Sequence, residues 1–292
     1  MQDPETRAFV EYWFAAEQRK ALTRLGVCLA SENGDLGDVL RVCLSRLIVT
    51  KERGASLARD VSHSRPHKVR QENDFDVMPE FLRSASVVAK HLAAAPVISR
   101  AEVTRCDARR LSHLSDASFE AVITSPPYLN AIDYMRGHKM ALVWLGYSVP
   151  QLREIRSSSV GSERGAEPRH DSAVIMGEVR GLAWFARLPV RQASLVRRYV
   201  ADMCELMREI ARVVVTNGKA VMVVGNSCLR GVYIENSRIL EMAAEAAGLR
   251  FINVYVRDLP SSLRYLPTPS GLISDDLGKR MRKECVLTFA KA

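Results

Sequence analysis

The residues that decide the fold are Phe119-Glu120-Ala121-Val122-Ile123-Thr124, which run directly into Ser125-Pro126-Pro127-Tyr128. A short β-type run ending in turn residues is the pattern of a strand that delivers a loop to the end of a sheet. In open α/β sheets ligands bind beyond the carboxyl ends of the strands, so the Ser-Pro-Pro-Tyr loop lies where chemistry is expected. Two consecutive prolines fix two φ angles and remove two N–H donors. They leave a stiff turn whose carbonyls can accept hydrogen bonds from a bound molecule.

Further runs of the same kind lie on both sides. Residues 101–105, 213–224, 251–256 and 285–289 read as strands, with turn chemistry at Asn217-Gly218 before the apolar run from Ala220 to Gly225. Helical spacing of apolar residues fits 133–145, 190–213 and 235–247. This alternation predicts an α/β domain over residues 97–292 with a largely parallel sheet. Residues 153–170 are rich in Ser, Gly and charge, and a mobile loop is expected within 151–189.

Residues 1–96 read differently. Apolar residues recur at helical spacing over 5–29, 38–49 and 78–94. Between them a polar, basic stretch carries Arg65, Lys68 and Arg70, so this part is expected to be a helical segment with a basic loop.

Lys and Arg exceed Asp and Glu by 9 charges, which suits a polyanionic partner such as nucleic acid. The 6 cysteines are scattered singly, with neither zinc-ligand nor disulfide-framework spacing, as expected of a reducing cytoplasm. No stretch approaches the roughly 18 apolar residues of a membrane span, and the first residues lack a signal-peptide layout. A cytoplasmic location is expected.

The loop residues suit one reaction. An exocyclic base amine carries two N–H donors and a lone pair delocalised into the ring. A hydroxyl from Ser125 and the carbonyl of Pro126 could both accept from that amine and free its lone pair for attack. Tyr128 offers a face on which an extruded base can stack.

On these residues the chain resembles the S-adenosylmethionine-dependent DNA amino-methyltransferases, whose signature is Asp, Asn or Ser followed by Pro-Pro and an aromatic. Thr124-Ser125-Pro126-Pro127-Tyr128 is most similar to the N4-cytosine branch, and N6-adenine enzymes with Ser also occur. The resemblance implies a Rossmann-like methyltransferase fold, with Ser125, Pro126, Pro127 and Tyr128 as catalytic residues and Thr124 near the cofactor. It also implies that Asp107, at the end of a strand, contacts the cofactor's adenine, although a capping acid has the same residue type. Asn226, after the strand that ends at Gly225, could touch the substrate or merely terminate the strand. Arg65, Lys68 and Arg70, with the basic residues of 153–169, would hold DNA phosphates.

One part of the family pattern is missing. No strand in this sequence is followed by a D-P-F-x-G-S-G-T-like turn, which holds the cofactor in the resembling enzymes. In their sheet the first two strands lie between the third and the fourth. The expected fold is therefore an incomplete Rossmann-like methyltransferase sheet preceded by a helical segment. The expected activity is methyl transfer from S-adenosylmethionine to cytosine N4 or adenine N6 of DNA, with a second polypeptide supplying the glycine-rich half. An RNA amino-methyltransferase, a non-catalytic DNA-binding subunit, a truncated frame and an inactive fragment remain as alternatives.

Overall fold

A computed structural model describes residues 3–50, 53–59, 67–94, 99, 101–129, 134–161, 170–258 and 283–292. The chain divides into two compact units, Met1–Val103 with Asp133–Arg156, and Thr104–Ile132 with Ser157–Ala292.

The first unit is helical: α1 (Pro4–Trp13), α2 (Ala16–Ser31), α3 (Gly34–Ile48), α4 (Val77–Ala94), α5 (Tyr134–Leu142) and α6 (Val149–Ser158), the last ending just beyond the unit. A two-residue ribbon pairs β1 (Ala58–Arg59) with β2 (His67–Lys68), antiparallel. Helix α1 starts where Asp3 accepts from the Thr6 N–H at 2.7 Å, with Pro4 as the first helical residue. The Thr6 hydroxyl in turn accepts from the Val149 N–H at 2.8 Å, fixing the start of α6 on the start of α1.

Residues 133–156 fall in this unit, rather than with the α/β part, because Met140, Val143, Trp144, Val149 and Leu152 are buried among Val10, Phe14, Leu22 and Leu44. Phe14 meets Trp144 edge to face at 5.0 Å. Helix α2 approaches the turn at Trp144 so closely that a Cβ on Gly26 would lie 2.8 Å from the Trp144 carbonyl oxygen.

The second unit carries α7 (His170–Gly181), α8 (Val190–Val213) and α9 (Asn236–Ala246). Its strands are β3 (Phe119–Thr124), β4 (Val214–Gly225), β5 (Ser227–Leu229), β6 (Val232–Ile234), β7 (Leu249–Asp258) and β8 (Lys283–Lys291). Among the described residues a four-stranded sheet has the order β3-β4-β8-β7. Its core pairs Ala220, Met222, Val224, Leu287 and Phe289 with Tyr199, Met203, Met207 and Ile210 of α8 and Ile239 and Ala243 of α9.

The expected largely parallel sheet needs correction. Strands β3 and β4 pair in parallel, but β8 is antiparallel to both β4 and β7. Strands β3, β4 and β7 therefore share a direction, and β8 is inserted between two of them in reverse. Helical crossovers predict direction only for the strands they join, and no described helix joins β7 to β8.

Two other expectations change. Residues 151–189 contain helix where a mobile loop was expected: α6 covers Val149–Ser158, α7 covers His170–Gly181, and Phe185–Arg187 form a 3-10 turn. The polar composition of 151–158 reflects the largely solvent-facing surface of α6, while α7 buries Ile175, Met176 and Val179. Residues 101–105 form no strand. They are exposed, with Val103 at 94%, and belong to no strand of the described sheet. A β-type run becomes a strand only when a neighbour takes its backbone hydrogen bonds.

The turn expected at Asn217-Gly218 is present but lies inside β4. Asn217 has a φ of 63°, and the register jumps from Phe119↔Val214 to Ala121↔Lys219. Strands β5 and β6 form a hairpin the sequence reading did not foresee, turned by Arg230 (φ 51°) and Gly231 (φ 83°).

Candidate active site

Strand β3 delivers the Ser-Pro-Pro-Tyr turn to the sheet end at which β4 also finishes, since the two are parallel with Thr124 opposite Met222. Ser125 is exposed, and its hydroxyl donates to the Val223 carbonyl at 3.0 Å. A serine has one proton to donate and two lone pairs. With the proton committed to Val223, the hydroxyl presents lone pairs outward as an acceptor. Pro126 is buried, and its carbonyl meets no donor among the described residues. The turn therefore carries an exposed hydroxyl acceptor followed in sequence by a proline carbonyl, on a backbone stiffened by two prolines.

The next residues are anchored from three directions. Pro127 lies against Gly161, where an added Cβ would stand 3.2 Å from the proline Cγ. The Tyr128 hydroxyl donates to Glu284 Oε1 at 2.9 Å, which fixes the half-buried ring. The Leu129 carbonyl accepts from the Ser227 hydroxyl at 2.8 Å, and the buried Asn236 amide donates to both Ser227 Oγ (2.7 Å) and the Gly225 carbonyl (2.9 Å). The turn is thus tied to the end of β4, to the first residue of α9 and to β8.

Asp107 ends no strand. Its carboxylate is gripped by Arg109, which donates Nε to Oδ1 at 3.0 Å and Nη2 to Oδ2 at 2.8 Å. That hydrogen bonding from Arg109 holds the Asp107 carboxyl below the usual carboxylate range against a partial desolvation. Asp107 is therefore a charged acceptor, with both oxygens engaged, at the other end of the exposed stretch that begins at Ala101.

Asn226 follows β4 directly, and its side chain is used within the fold. Oδ1 accepts from the Ser237 N–H at 3.0 Å in the first turn of α9, and Nδ2 donates to the Tyr233 hydroxyl at 2.9 Å. Thr124 is half-buried at the end of β3. Lys68 belongs to the first unit, where its ammonium sits 5.0 Å above the Tyr12 ring, and Arg70 follows β2 half-buried. Arg65 and residues 162–169 of the basic stretch lie outside the described residues.

The sequence gives no role to Ser227, Asn236 or Glu284, all of which hold the turn or its neighbours in place. Ser227 and Asn236 follow the β4 run closely enough to be suspected. Glu284 ends the family-like stretch 280–284, but it is 156 positions from its partner Tyr128, and nothing local reveals that pairing.

As a set, Ser125, Pro126 and Tyr128 can orient a planar amine. The residues present fit S-adenosylmethionine incompletely: Asp107 is a suitable acceptor, but among the described residues no glycine-rich turn leads from a strand into a helix to hold the rest of the molecule.

No protein-family model matches the chain. A 50-residue stretch is 42% identical to part of the Type II methyltransferase M.BsoBI of Geobacillus stearothermophilus, covering 17% of this chain and 10% of that protein. Among solved structures, TTHA0409 of Thermus thermophilus, a protein named as a DNA modification methylase, aligns over 64% of this chain and 52% of its own at 16% identity and TM-score 0.32. The same protein complexed with S-adenosyl-L-methionine aligns at 14% identity and TM-score 0.33. The chain thus spans about half the length of these solved chains and a tenth of the curated relative.

Proposed function

We propose that this chain carries the target-amine half of a DNA amino-methyltransferase active site. The observation that carries the proposal is the committed proton of Ser125: donating to Val223, the hydroxyl can only accept from an incoming N–H, next to the Pro126 carbonyl. The similarity of a 50-residue stretch to a Type II methyltransferase supports the methyl-transfer part of this reading.

Two acceptors on one NH₂ group of cytosine or adenine hold both hydrogens out of the way and turn the nitrogen lone pair toward the methyl donor. Tyr128, its ring fixed through Glu284, stacks the extruded base. S-adenosylmethionine, when bound, supplies an electrophilic methyl group. The contribution of this chain is positioning, which can account for a large share of a barrier. The net charge of +9 favours DNA, with Lys68, Arg70 and Arg65 as phosphate contacts.

A complementary glycine-rich segment, in the same or another polypeptide, completes the cofactor site. Two features support this requirement. Strand β3 has a hydrogen-bonded neighbour, β4, on one side, and on its other side no described strand pairs with it, with Ile123 78% and Phe119 40% exposed. The β-type residues 101–104 are likewise exposed and belong to no strand of the described sheet. A native sheet rarely leaves a flat apolar edge bare.

The test combines this chain with such a segment and follows tritiated methyl incorporation into duplex DNA and structured RNA. Label in DNA that is lost on Ser125→Ala supports the proposal. Label in RNA alone reassigns the substrate, and salt-sensitive DNA binding without methyl transfer under any pairing points to a binding subunit instead.

A further inference from the structure

Methyl transfer as proposed makes no use of a buried ion pair beneath the turn. Arg109 and Asp202 of α8 meet at 2.6 Å, with side chains only 8% and 3% exposed. A buried ion pair is weak evidence for stability, because apolar side chains of the same volume avoid its desolvation cost. What the pair holds is therefore informative. The second oxygen of Asp202 accepts from the Gly161 N–H at 2.7 Å, and Arg109 Nη2 donates to the Ser158 carbonyl at 2.6 Å. The backbone from Ser158 to Gly161 is gripped at both ends.

That backbone is the surface on which Pro127 rests. Gly161 has a left-handed φ of 72°, and a Cβ there would stand 3.2 Å from Pro127 Cγ and 3.5 Å from its Cβ. Glycine takes this φ without strain, and a side chain there would be both strained and pressed against the proline ring. Arg109 also holds Asp107, so one guanidinium links the proposed cofactor acid to the support of the turn.

We infer that Asp202 and Arg109 are positioning residues that hold Gly161 against Pro127 and so fix where Ser125 and Tyr128 stand. The inference relies on the methyltransferase reading only for its activity readout.

Hydrogen–deuterium exchange on the full chain tests it without that reading. Asp202→Ala removes both acceptors, and amides at Ser158–Gly161 and at Tyr128–Leu129 should then exchange faster together, each by about tenfold. Gly161→Ala leaves the ion pair intact and should loosen Tyr128–Leu129 while the chain still melts cooperatively. Faster exchange at Ser158–Gly161 with none at Tyr128–Leu129 overturns the inference. If Asp202→Ala does not fold, Gly161→Ala decides alone, and unchanged exchange at Tyr128–Leu129 overturns it.

In the assembled enzyme Gly161→Ala should lower kcat about tenfold while the KM for DNA stays within about twofold. An unchanged kcat overturns the positioning role. An assembled wild-type enzyme that methylates nothing, with the exchange coupling intact, overturns the methyltransferase reading and leaves the coupling standing.

Discussion

The Tyr128 hydroxyl donates to Glu284 Oε1 at 2.9 Å, while the other oxygen of Glu284 accepts from Arg257 Nε and Nη2 at 3.0 and 2.7 Å. The aromatic ring that follows the two prolines is therefore held by β8 and, through Arg257, by β7. Tyr128→Phe removes one bond to a charged acceptor and keeps the ring, so it should cost about 1–2 kcal/mol in thermal unfolding. In single-turnover methylation it should lose less rate than Tyr128→Ala, which removes the stacking face as well.

Asn236 is fully buried and donates to two acceptors, Ser227 Oγ and the Gly225 carbonyl. Asn236→Ala leaves both without their donor inside the core. The expected loss is about 2–3 kcal/mol in urea denaturation, larger than for Ser227→Ala, which removes one acceptor together with its own bond to Leu129.

Two helical glycines should respond to alanine with opposite signs. Alanine favours a helix interior over glycine by about 1 kcal/mol. At Gly177 in α7 a Cβ meets nothing within 4 Å, so Gly177→Ala should raise the melting temperature. At Gly26 it would stand 2.8 Å from a backbone carbonyl that cannot swing away, and overpacking by about 1–3 kcal/mol should outweigh the helix gain. Gly26→Ala should therefore melt lower, with altered emission from Trp144.

Arg212 binds Glu209 through Nε and Nη2, and the Leu111 N–H adds a third hydrogen bond. These bonds, chiefly those from Arg212, hold the Glu209 carboxyl below its usual value of 4.5. A carboxyl depressed in the folded state stabilises at pH values above its unfolded pKa, and that contribution disappears as the pH falls through the folded value. Glu209→Gln should therefore destabilise at neutral pH by about 1 kcal/mol, and the difference from wild type should shrink below pH 4.5. Acid titration of urea midpoints for the two proteins checks it.

Ile123 is 78% exposed on β3. Ile123→Lys should change the stability of the isolated chain by no more than about 0.5 kcal/mol. If the edge of β3 receives the complementary segment, the same substitution should prevent co-elution of the two pieces in gel filtration.

Much of this fold was legible because its elements are locally consistent. Helix α8 follows its amphipathic period from Val190 to Val213 without interruption, and β3 announces itself by its apolar run and the Pro-Pro stop. Residues 151–158 were misread because charge and serine report a solvent-facing surface, which a helix can also present. The reversal of β8 was hidden because strand direction depends on a partner, not on the strand's own residues. In the site, Ser125 and Tyr128 were visible from their motif. Asp202, Asn236 and Glu284 were not, since each acts by meeting a residue remote in sequence. Asp107 was found as an acid but placed on a strand that no described neighbour completes.

The central claim is that Ser125 orients a DNA base amine for methylation. The most direct test supplies the complementary glycine-rich segment, S-adenosyl-L-[methyl-³H]methionine and duplex DNA, and resolves the labelled nucleosides chromatographically for wild type and Ser125→Ala. The account predicts label in N4-methylcytosine or N6-methyladenine that falls by about 100-fold in the variant, the scale of losing one well-placed hydrogen-bonding group. Undiminished labelling by Ser125→Ala would contradict it.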